Sequence, residues 1–391
     1  MGNRYESLGV SATKSEVHKA ISNLDKGLYP NAFCKILSDI VGGNEDYCNI
    51  IHADTAGTKT SLAYLAWKET GDLSIWRGIA QDAMVMNIDD LACVGSTQGI
   101  VISSTIGRNK ALIPAEVISE LIQANQTFIE KMSGYNVQLI SGGGETADVG
   151  DIVRTIDVGI TAFARMQKKE LIINNIKSGA VIVGLSSSGQ SIYEDEYTSG
   201  IGSNGLTAAR HDVLNKTYAS RFSESFSPEI DNKFVFTGKK SLLDKVVYDN
   251  QEFLVYKLLC SPTRTYAPIL NKIIKHCKNE IQGIIHCSGG AQTKVLKFVH
   301  GVKIIKDNLF TTPPVFQMIQ DEMNYSKKEL YQIYNMGHRM ELYVDPSVAN
   351  EIIEISKTFN VDAKIIGRVE SSENSSVEIN IDNEVFEYSE K

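Results

Sequence analysis

The sequence predicts a two-domain α/β protein, and three observations lead to this fold class. The chain has 391 residues, more than one hydrophobic core usually serves. Strand-like and helix-like apolar patterns alternate through its first third. Residues 166–178 break this alternation, and a second series of strands, glycine-rich loops and helices follows. We therefore predict an N-terminal domain of residues 1–168 and a C-terminal domain of residues 169–391, with an inserted polar excursion around 215–253.

The first domain is predicted to begin its regular structure with a strand at residues 50–53, followed by a helix at 78–88. A second helix is expected to open at Pro114 and to end at Gly134, because proline suits the first helical turn and glycine the C-terminal cap. Two further strands are predicted, and the glycine run Gly142 to Gly144 is expected to form a loop at the end of the first of them. These strands are residues 137–140 and 156–162.

The second domain is predicted to contain a strand at residues 180–185 and helices at 207–214 and 267–283. The stretch GIGSNG, residues 200–205, matches the glycine spacing of a dinucleotide-binding loop. That motif must follow a strand directly, and the preceding YEDEYTS does not have a strand pattern. We therefore predict no nicotinamide nucleotide site, although an anion could still bind where this loop meets the helix.

Composition limits the class of partner and the compartment. The net charge is −8 and the isoelectric point is about 5.5, which argues against nucleic acid as a partner. A local basic pocket can still bind a small anionic substrate. The six cysteines form no C-x-x-C pair, so we predict buried thiols in a reducing, cytoplasmic compartment. No apolar run approaches the ~18 residues of a membrane span, so no membrane is predicted as a partner.

The first candidate site is HADTAGTKTS, residues 52–61. A predicted strand ends at Asp54, and a small loop leads to Gly57, Thr58 and Lys59. Backbone amides in such a loop can hold phosphate, and Lys59 could neutralise it. The alternative is a tight turn with a solvated lysine.

The second candidate site is MNIDDLACVGS, where Asp89 and Asp90 end an apolar helix that also carries Asp82. A Mg²⁺ ion that bridges nucleotide phosphates is usually held by one or two carboxylates plus water. The alternative is a solvated helix end.

The third candidate site is GGGETAD, in which Glu145 and Asp148 follow the glycine run. Glycines permit a close approach of the backbone to a ligand, and the acids lie at the same place. A strand-to-loop turn is the alternative.

No transferable nucleophile signature is present, neither G-x-S-x-G nor H-E-x-x-H. His338 and Arg339, which follow Gly337, could contact phosphate or could form a surface turn.

Seven short motifs in order resemble the aminoimidazole ribonucleotide synthetase (phosphoribosylformylglycinamidine cyclo-ligase) family. The resemblance extends from about residue 49 to residue 368, and the motifs are DTAGTK, DDLACVG, GGETAD, LSSSG…SNG, SPTRTY, HCSGGAQTKV and YNMGHRM. It implies an N-terminal domain whose mixed sheet pairs with a second copy into a dimeric barrel. It also implies a C-terminal α/β sandwich and an active-site cleft between the domains. The reaction implied is the ATP-dependent ring closure of formylglycinamidine ribonucleotide in purine synthesis.

The resemblance also implies roles for individual residues. Asp54, Asp90 and Glu145 would be the acids near Mg²⁺ and, with Lys59, the catalytic residues. The residues expected to contact ATP lie in three loops: Gly57, Thr58 and Lys59; Gly143, Gly144 and Thr146; and Ser203, Asn204 and Gly205.

The chain departs from the family pattern in its C-terminal half. Gly202 stands where the family has histidine, Lys294 where it has glutamate, and His338-Arg339 where it has small residues. These departures bear on the substrate more than on the fold or on ATP. They leave open a diverged ATP-using paralogue that acts on a different small molecule. A non-catalytic binding protein is a third alternative, which the retained acids disfavour.

Overall fold

Two mixed β-sheets organise the protein in the computed structural model, which describes residues 7–10, 19–323 and 325–389. The first sheet has five strands in the order β1-β2-β5-β3-β4. Only the β3–β4 pair is parallel. The strands are β1 (Ile36–Ser38), β2 (Tyr47–Thr55), β3 (Ile100–Arg108), β4 (Leu139–Asp148) and β5 (Ile156–Gln167).

In the described residues, three helices with assigned bounds accompany this sheet: α1 (Lys59–Thr70), α2 (Ile75–Ala92) and α3 (Ala115–Ser133). Helix α2 is longer than predicted, and nearly all of its residues are buried, including its acids. A helix that is buried on every side must have neighbours on every side. Helix α2 contacts β2 and β5 on one side and a helix of the second domain on the other. The helix with the candidate acids is therefore the centre of the molecule, and Asp89 and Asp90 do not form a solvated helix end.

The predicted glycine loop is part of strand β4, which is the main correction to the predicted elements. Ser104 and Gly144 lie side by side in the parallel pair, and a bulge interrupts the register just before them. Gly143, in the bulge, has a φ of 82°, a conformation that favours glycine. A side chain at position 144 would begin 2.3 Å from the Ser104 carbonyl oxygen. These glycines therefore allow two strands to approach closely, which a single-sequence pattern does not reveal.

Gly144→Ala is expected to destabilise the protein by about 1–3 kcal/mol, because a methyl group forced against backbone must displace one strand. Gly159→Ala in β5 is the matched control, since its added carbon would meet its nearest neighbour at 3.4 Å. Urea unfolding of both variants measures the difference. Equal stabilities would contradict the close approach of β3 and β4.

The second sheet has seven strands in the order β14-β13-β10-β12-β6-β11-β9. It begins after the first sheet has ended at Gln167, so the predicted boundary segment lies between the two sheets. The numbering also includes a separate hairpin, β7–β8. The strands are β6 (Val181–Ser186), β7 (Lys245–Tyr248), β8 (Gln251–Leu254), β9 (Ile281–His286), β10 (Val302–Lys306), β11 (His338–Val344), β12 (Ala363–Ser371), β13 (Ser376–Ile381) and β14 (Glu384–Ser389).

Seven α-helices with assigned bounds accompany the second sheet in the described part of the chain. Helix α10 packs on β6, β12 and α7, while the 3₁₀ segment Ala291–Phe298 contacts β9 and β13. The helices are α4 (Leu206–Val213), α5 (Thr217–Arg221), α6 (Val255–Leu259), α7 (Ala267–Cys277), α8 (Pro314–Glu322), α9 (Lys327–Ile333) and α10 (Ala349–Lys357).

The polar excursion of residues 215–253 packs against helix α1 of the first domain. The Tyr64 hydroxyl donates to Glu224 Oε1 at 2.7 Å, and the Tyr218 hydroxyl to Glu69 Oε2 at 3.1 Å. The excursion therefore links the two sheet systems. All six cysteines are buried and unpaired, as predicted. Among the described residues, no helix combines the length and apolar character needed to cross a bilayer.

Candidate active site

Helix α2 presents three acids to the second domain, and Asp82 is the first. Its Oδ1 accepts from Lys59 Nζ and from the Thr263 backbone N–H, both at 2.8 Å. Lys59 Nζ also donates to the Ser261 carbonyl oxygen. Lys59 is completely buried, so its ammonium lies inside the protein as the partner of Asp82. A carboxylate buried as deeply as that of Asp82 requires a cation, and Lys59 supplies it. Lys59 therefore does not face solvent, where the sequence suggested that it would neutralise phosphate.

Asp89, one helical turn before the end of α2, holds the SPTRTY segment of the second domain. Its Oδ1 accepts from Thr265 Oγ1 at 2.6 Å and from the Tyr266 backbone N–H at 3.0 Å. Arg339 Nη2 lies 3.9 Å from its Oδ2. Burial raises the pKa of Asp89 to about 7, against the lowering effect of Arg339 and these donors. Asp89 thus fixes the position of the second domain on α2.

Asp90 lies between two histidines that come from different domains. His286 Nδ1 is 2.6 Å from Asp90 Oδ1, and His52 Nε2 is 3.3 Å from Oδ2. Burial alone would raise the pKa of Asp90, but nearby Lys294 and the two histidines outweigh it and hold the pKa well below its usual range. Asp90 is therefore a buried carboxylate anion that bridges β2 and β9.

The contacts of the two histidines assign them different protonation states. Asp90 Oδ1 accepts a hydrogen bond from His286 Nδ1–H. Arg339 Nε donates to His286 Nε2 at 3.1 Å, so Nε2 carries no proton and His286 is the neutral Nδ1–H tautomer. Burial lowers the pKa of His286 to about 4, consistent with this form. His52 instead has acceptors at both nitrogens, since its Nδ1 lies 2.9 Å from Asn87 Oδ1. Burial lowers the pKa of His52, but the hydrogen bond and charge of Asp90, the hydrogen bond to Asn87 and the charge of Asp54 together outweigh it, so the net shift of the pKa is upward.

The loop after β2 meets the SNG loop of the second domain. Thr58 Oγ1 lies 2.7 Å from Thr207 Oγ1, in the first turn of α4 directly after Ser203–Gly205. Gly57 has a φ of 61°, and the exposed Asp54 accepts from the Thr55 backbone N–H at 2.7 Å. The structure therefore brings together two of the three predicted ATP-contacting loops.

Glu145 does not lie near Asp54 within one chain. The register places Asp54, Ile160, Ser104 and Gly144 in one row across four strands. Three strand spacings, roughly 14 Å, separate the ends of this row. Side chains alternate along a strand, so Glu145 points to the opposite face from Gly144 and Asp54.

The three predicted acids therefore do not fit a single Mg²⁺ site in one chain. Both oxygens of Asp90 face imidazole nitrogens, and Glu145 lies on the other face of the sheet. Asp54 is exposed on the face that carries α2 and remains accessible to a cation.

Sequence reasoning missed the residues that complete this network. His52 is two residues before Asp54, so strand alternation could have placed both on one face. His286 belongs to the HCSGG motif but received no role. The surface-turn alternative for His338 and Arg339 is wrong, because both are buried at the start of strand β11, which pairs with β6 and β9.

Comparison with known proteins identifies the family. The N-terminal domain of AIR synthase related proteins matches residues 34–166, and their C-terminal domain matches residues 177–380. A Methanocaldococcus jannaschii protein named phosphoribosylformylglycinamidine cyclo-ligase is 29% identical over 329 residues, which cover 84% of this chain and 79% of that protein. A Staphylococcus carnosus protein of the same name is 29% identical over 322 residues, 81% of this chain and 78% of its own.

Solved structures share the fold at much lower identity. One is T. maritima PurL complexed with FGAR, with a TM-score of 0.55 and 12% identity; the match covers 97% of this chain and 50% of that chain. The chain thus spans about half the length of PurL. Another is a HypE–HypF complex, with a TM-score of 0.54, 13% identity and coverage of 96% and 99%. The two matched domains account for most of the sequence, and the chain belongs to the AIR synthase related protein family.

Proposed function

We propose that this protein catalyses the ATP-dependent cyclisation of formylglycinamidine ribonucleotide to aminoimidazole ribonucleotide, with release of ADP and phosphate, in purine biosynthesis. The support from relatives is that proteins named phosphoribosylformylglycinamidine cyclo-ligase match more than four-fifths of this chain, across both domains.

One structural observation carries the proposal: family-like motifs from both domains meet on helix α2. DDLACVG contacts SPTRTY through Asp89 and Thr265, and it contacts HCSGGAQTKV through Asp90 and His286. The result is a buried and charged site between the domains. Such a site suits a reaction in which the protein positions its substrates and stabilises charge.

The proposed chemistry requires no nucleophile from the protein. ATP phosphorylates the formyl amide oxygen of the substrate, and ADP is released. A nitrogen of the same substrate molecule then attacks the formyl carbon, and phosphate leaves as the imidazole ring forms. Gly57 and Thr58 in one loop, and Ser203, Asn204 and Gly205 in the other, are proposed to hold the phosphates of ATP through backbone amides and hydroxyls. Mg²⁺ is expected with ATP and would reach Asp54, but not all three predicted acids of one chain.

A second copy of the chain is proposed to pack on the outer face of the first sheet, forming the dimeric barrel. Ile51, Phe163, Val101 and Ile140 form one apolar row across four strands on that face. Ile51 is 56% exposed and Ile140 46% exposed, which favours a partner. Glu145 shares this face, so dimerisation would bring Glu145 to the partner interface. The predicted contacts Gly143, Gly144 and Thr146 lie beside it on the same strand, with Gly144 and Thr146 on the opposite face.

The dimer predicts a solution mass of twice 43.1 kDa. Ile51→Asp is expected to yield monomers, because it places a charge in the centre of the apolar row. Light scattering coupled to size exclusion measures both. A monomeric wild-type protein at micromolar concentration would contradict the dimer.

A cytoplasmic location is proposed because all six cysteines remain unpaired thiols, as expected in a reducing compartment.

The functional test is the substrate dependence of ATP hydrolysis. ADP release is measured with formylglycinamidine ribonucleotide, without it, and with its oxygen analogue formylglycinamide ribonucleotide. We expect rapid release only with the amidine. Release that is independent of the amidine would favour a paralogue with a different substrate.

A further inference from the structure

Arg339 is a buried arginine, and one of its guanidinium nitrogens makes no hydrogen bond with the described residues. It is 2% exposed. Its Nε donates to His286 Nε2, and its Nη2 to the Arg264 carbonyl oxygen. Its Nη1 has no hydrogen-bond partner among the residues that the structure describes. A buried donor left unsatisfied costs about 1–3 kcal/mol, and more when it is charged. An acceptor that is absent from the protein chain itself is therefore expected at Nη1.

The unused Nη1 faces a pocket between the loops of the second domain. A side chain at Gly202 would begin 3.6 Å from Nη1 and 3.8 Å from Cδ of Arg339. A β-carbon at position 202 would thus be in ordinary van der Waals contact with the guanidinium group. The residues that line the pocket include Gly202, Asn204, Ser288 and Arg339.

The polar surroundings of this pocket are suited to an anion. Lys294 Nζ lies 2.6 Å from Ser288 Oγ, which brings a second cation to the pocket wall. Both cations also face carboxylates: Arg339 Nη2 lies 3.9 Å from Asp89 Oδ2, and the charge of Lys294 acts on Asp90. Arg339 Nη1, however, has no acceptor among the described residues. A charged donor without an acceptor, beside the Ser288 hydroxyl and a second cation, favours a phosphate group over a neutral carbonyl.

We propose that Arg339 is a substrate-binding residue whose Nη1–H donates to a phosphate oxygen of the ligand in this pocket. The proposal rests on the proposed function, because it assigns the pocket to the phosphate of a ribonucleotide substrate. Because position 202 is glycine, the Arg339 side chain from β11 lies directly beside the backbone of the loop that carries SNG. Residues 202 and 339 would then determine how this chain binds the phosphate of its substrate.

The sharpest test is Gly202→Ser compared with Gly202→Ala. Both add the same carbon beside Arg339, but only serine adds a hydroxyl acceptor that can satisfy Nη1 and compete with the ligand. We expect Gly202→Ser to raise the KM for formylglycinamidine ribonucleotide about tenfold, with unchanged or higher thermal stability. Gly202→Ala is expected to cause a clearly smaller rise. Equal KM values for the two variants would overturn the proposal.

A second measurement does not depend on turnover. Millimolar inorganic phosphate is expected to raise the Tm of the wild-type protein, and this rise should shrink in Gly202→Ser and disappear in Arg339→Met. If Arg339→Met does not fold, the serine–alanine pair still decides the question. Phosphate protection that depends on position 202 in a protein without cyclo-ligase activity would support the pocket and remove the proposed reaction. Normal cyclisation with phosphate protection that is insensitive to both positions would overturn the pocket alone.

Discussion

Lys59→Met is expected to destabilise the protein by about 3–5 kcal/mol, because it leaves the Asp82 carboxylate buried without a cation. Both side chains of this pair are fully buried and 2.8 Å apart. Urea unfolding measures the loss. Lys245→Met is the matched control, since the Lys245–Glu252 pair has the same 2.8 Å separation but is more than half exposed. That variant should change stability by less than about 1 kcal/mol. Equal effects of the two substitutions would contradict the internal role of Lys59.

The double variant Lys59→Met/Asp82→Asn separates a structural role from a catalytic one. The asparagine removes the unpaired charge but keeps an acceptor for the Thr263 backbone N–H, so most of the stability should return. If Lys59 acts only inside the protein, this stabilised variant retains turnover. If Lys59 contacts phosphate, as the sequence alone suggested, the variant folds but does not turn over.

Asp90→Asn is the second substitution with a large expected effect, a fall in kcat on the order of 10²-fold or more. Asparagine keeps the shape of the side chain but removes the charge that holds His286 and His52 in place. It also leaves Lys294 without its buried counter-charge. Steady-state kinetics and circular dichroism together separate lost activity from lost folding.

Asp39→Asn is the control for Asp90→Asn, because Asp39 is also buried and paired, with Arg165 Nη2 at 2.8 Å. It lies outside the interdomain network, so it should lower stability but leave kcat unchanged. A kcat within twofold of wild type for Asp90→Asn would remove Asp90 from the reaction.

The sequence predicted helix α2 and its acids but not what the acids do. A long apolar run is a local signal, and it located the helix correctly. The partners of the acids are distant in sequence: Thr265 is 176 residues from Asp89, and His286 is 196 residues from Asp90. No periodicity in one chain encodes such contacts. The resemblance to a family placed the motifs in one site, and only the fold defined their geometry.

The glycine run and the buried charges show two further limits of sequence reasoning. Glycine has a low strand propensity, so the pairing of β4 with β3 overrides the local preference. Lysine and arginine are almost always exposed unless they are paired, so the sequence left Lys59 and Arg339 as either phosphate contacts or surface residues. Lys59 is buried beside Asp82 and Arg339 beside Asp89, and only the tertiary fold brings these pairs together.

The most direct test of the proposed function is the stoichiometry of the products. Purified protein is incubated with ATP, Mg²⁺ and formylglycinamidine ribonucleotide, and ADP and aminoimidazole ribonucleotide are quantified in the same samples over time. We predict that one aminoimidazole ribonucleotide forms for each ADP, and that both cease to form with Asp90→Asn. Formation of ADP without the imidazole, or of neither product, would contradict the assignment as a cyclo-ligase while leaving the fold and the family unchanged.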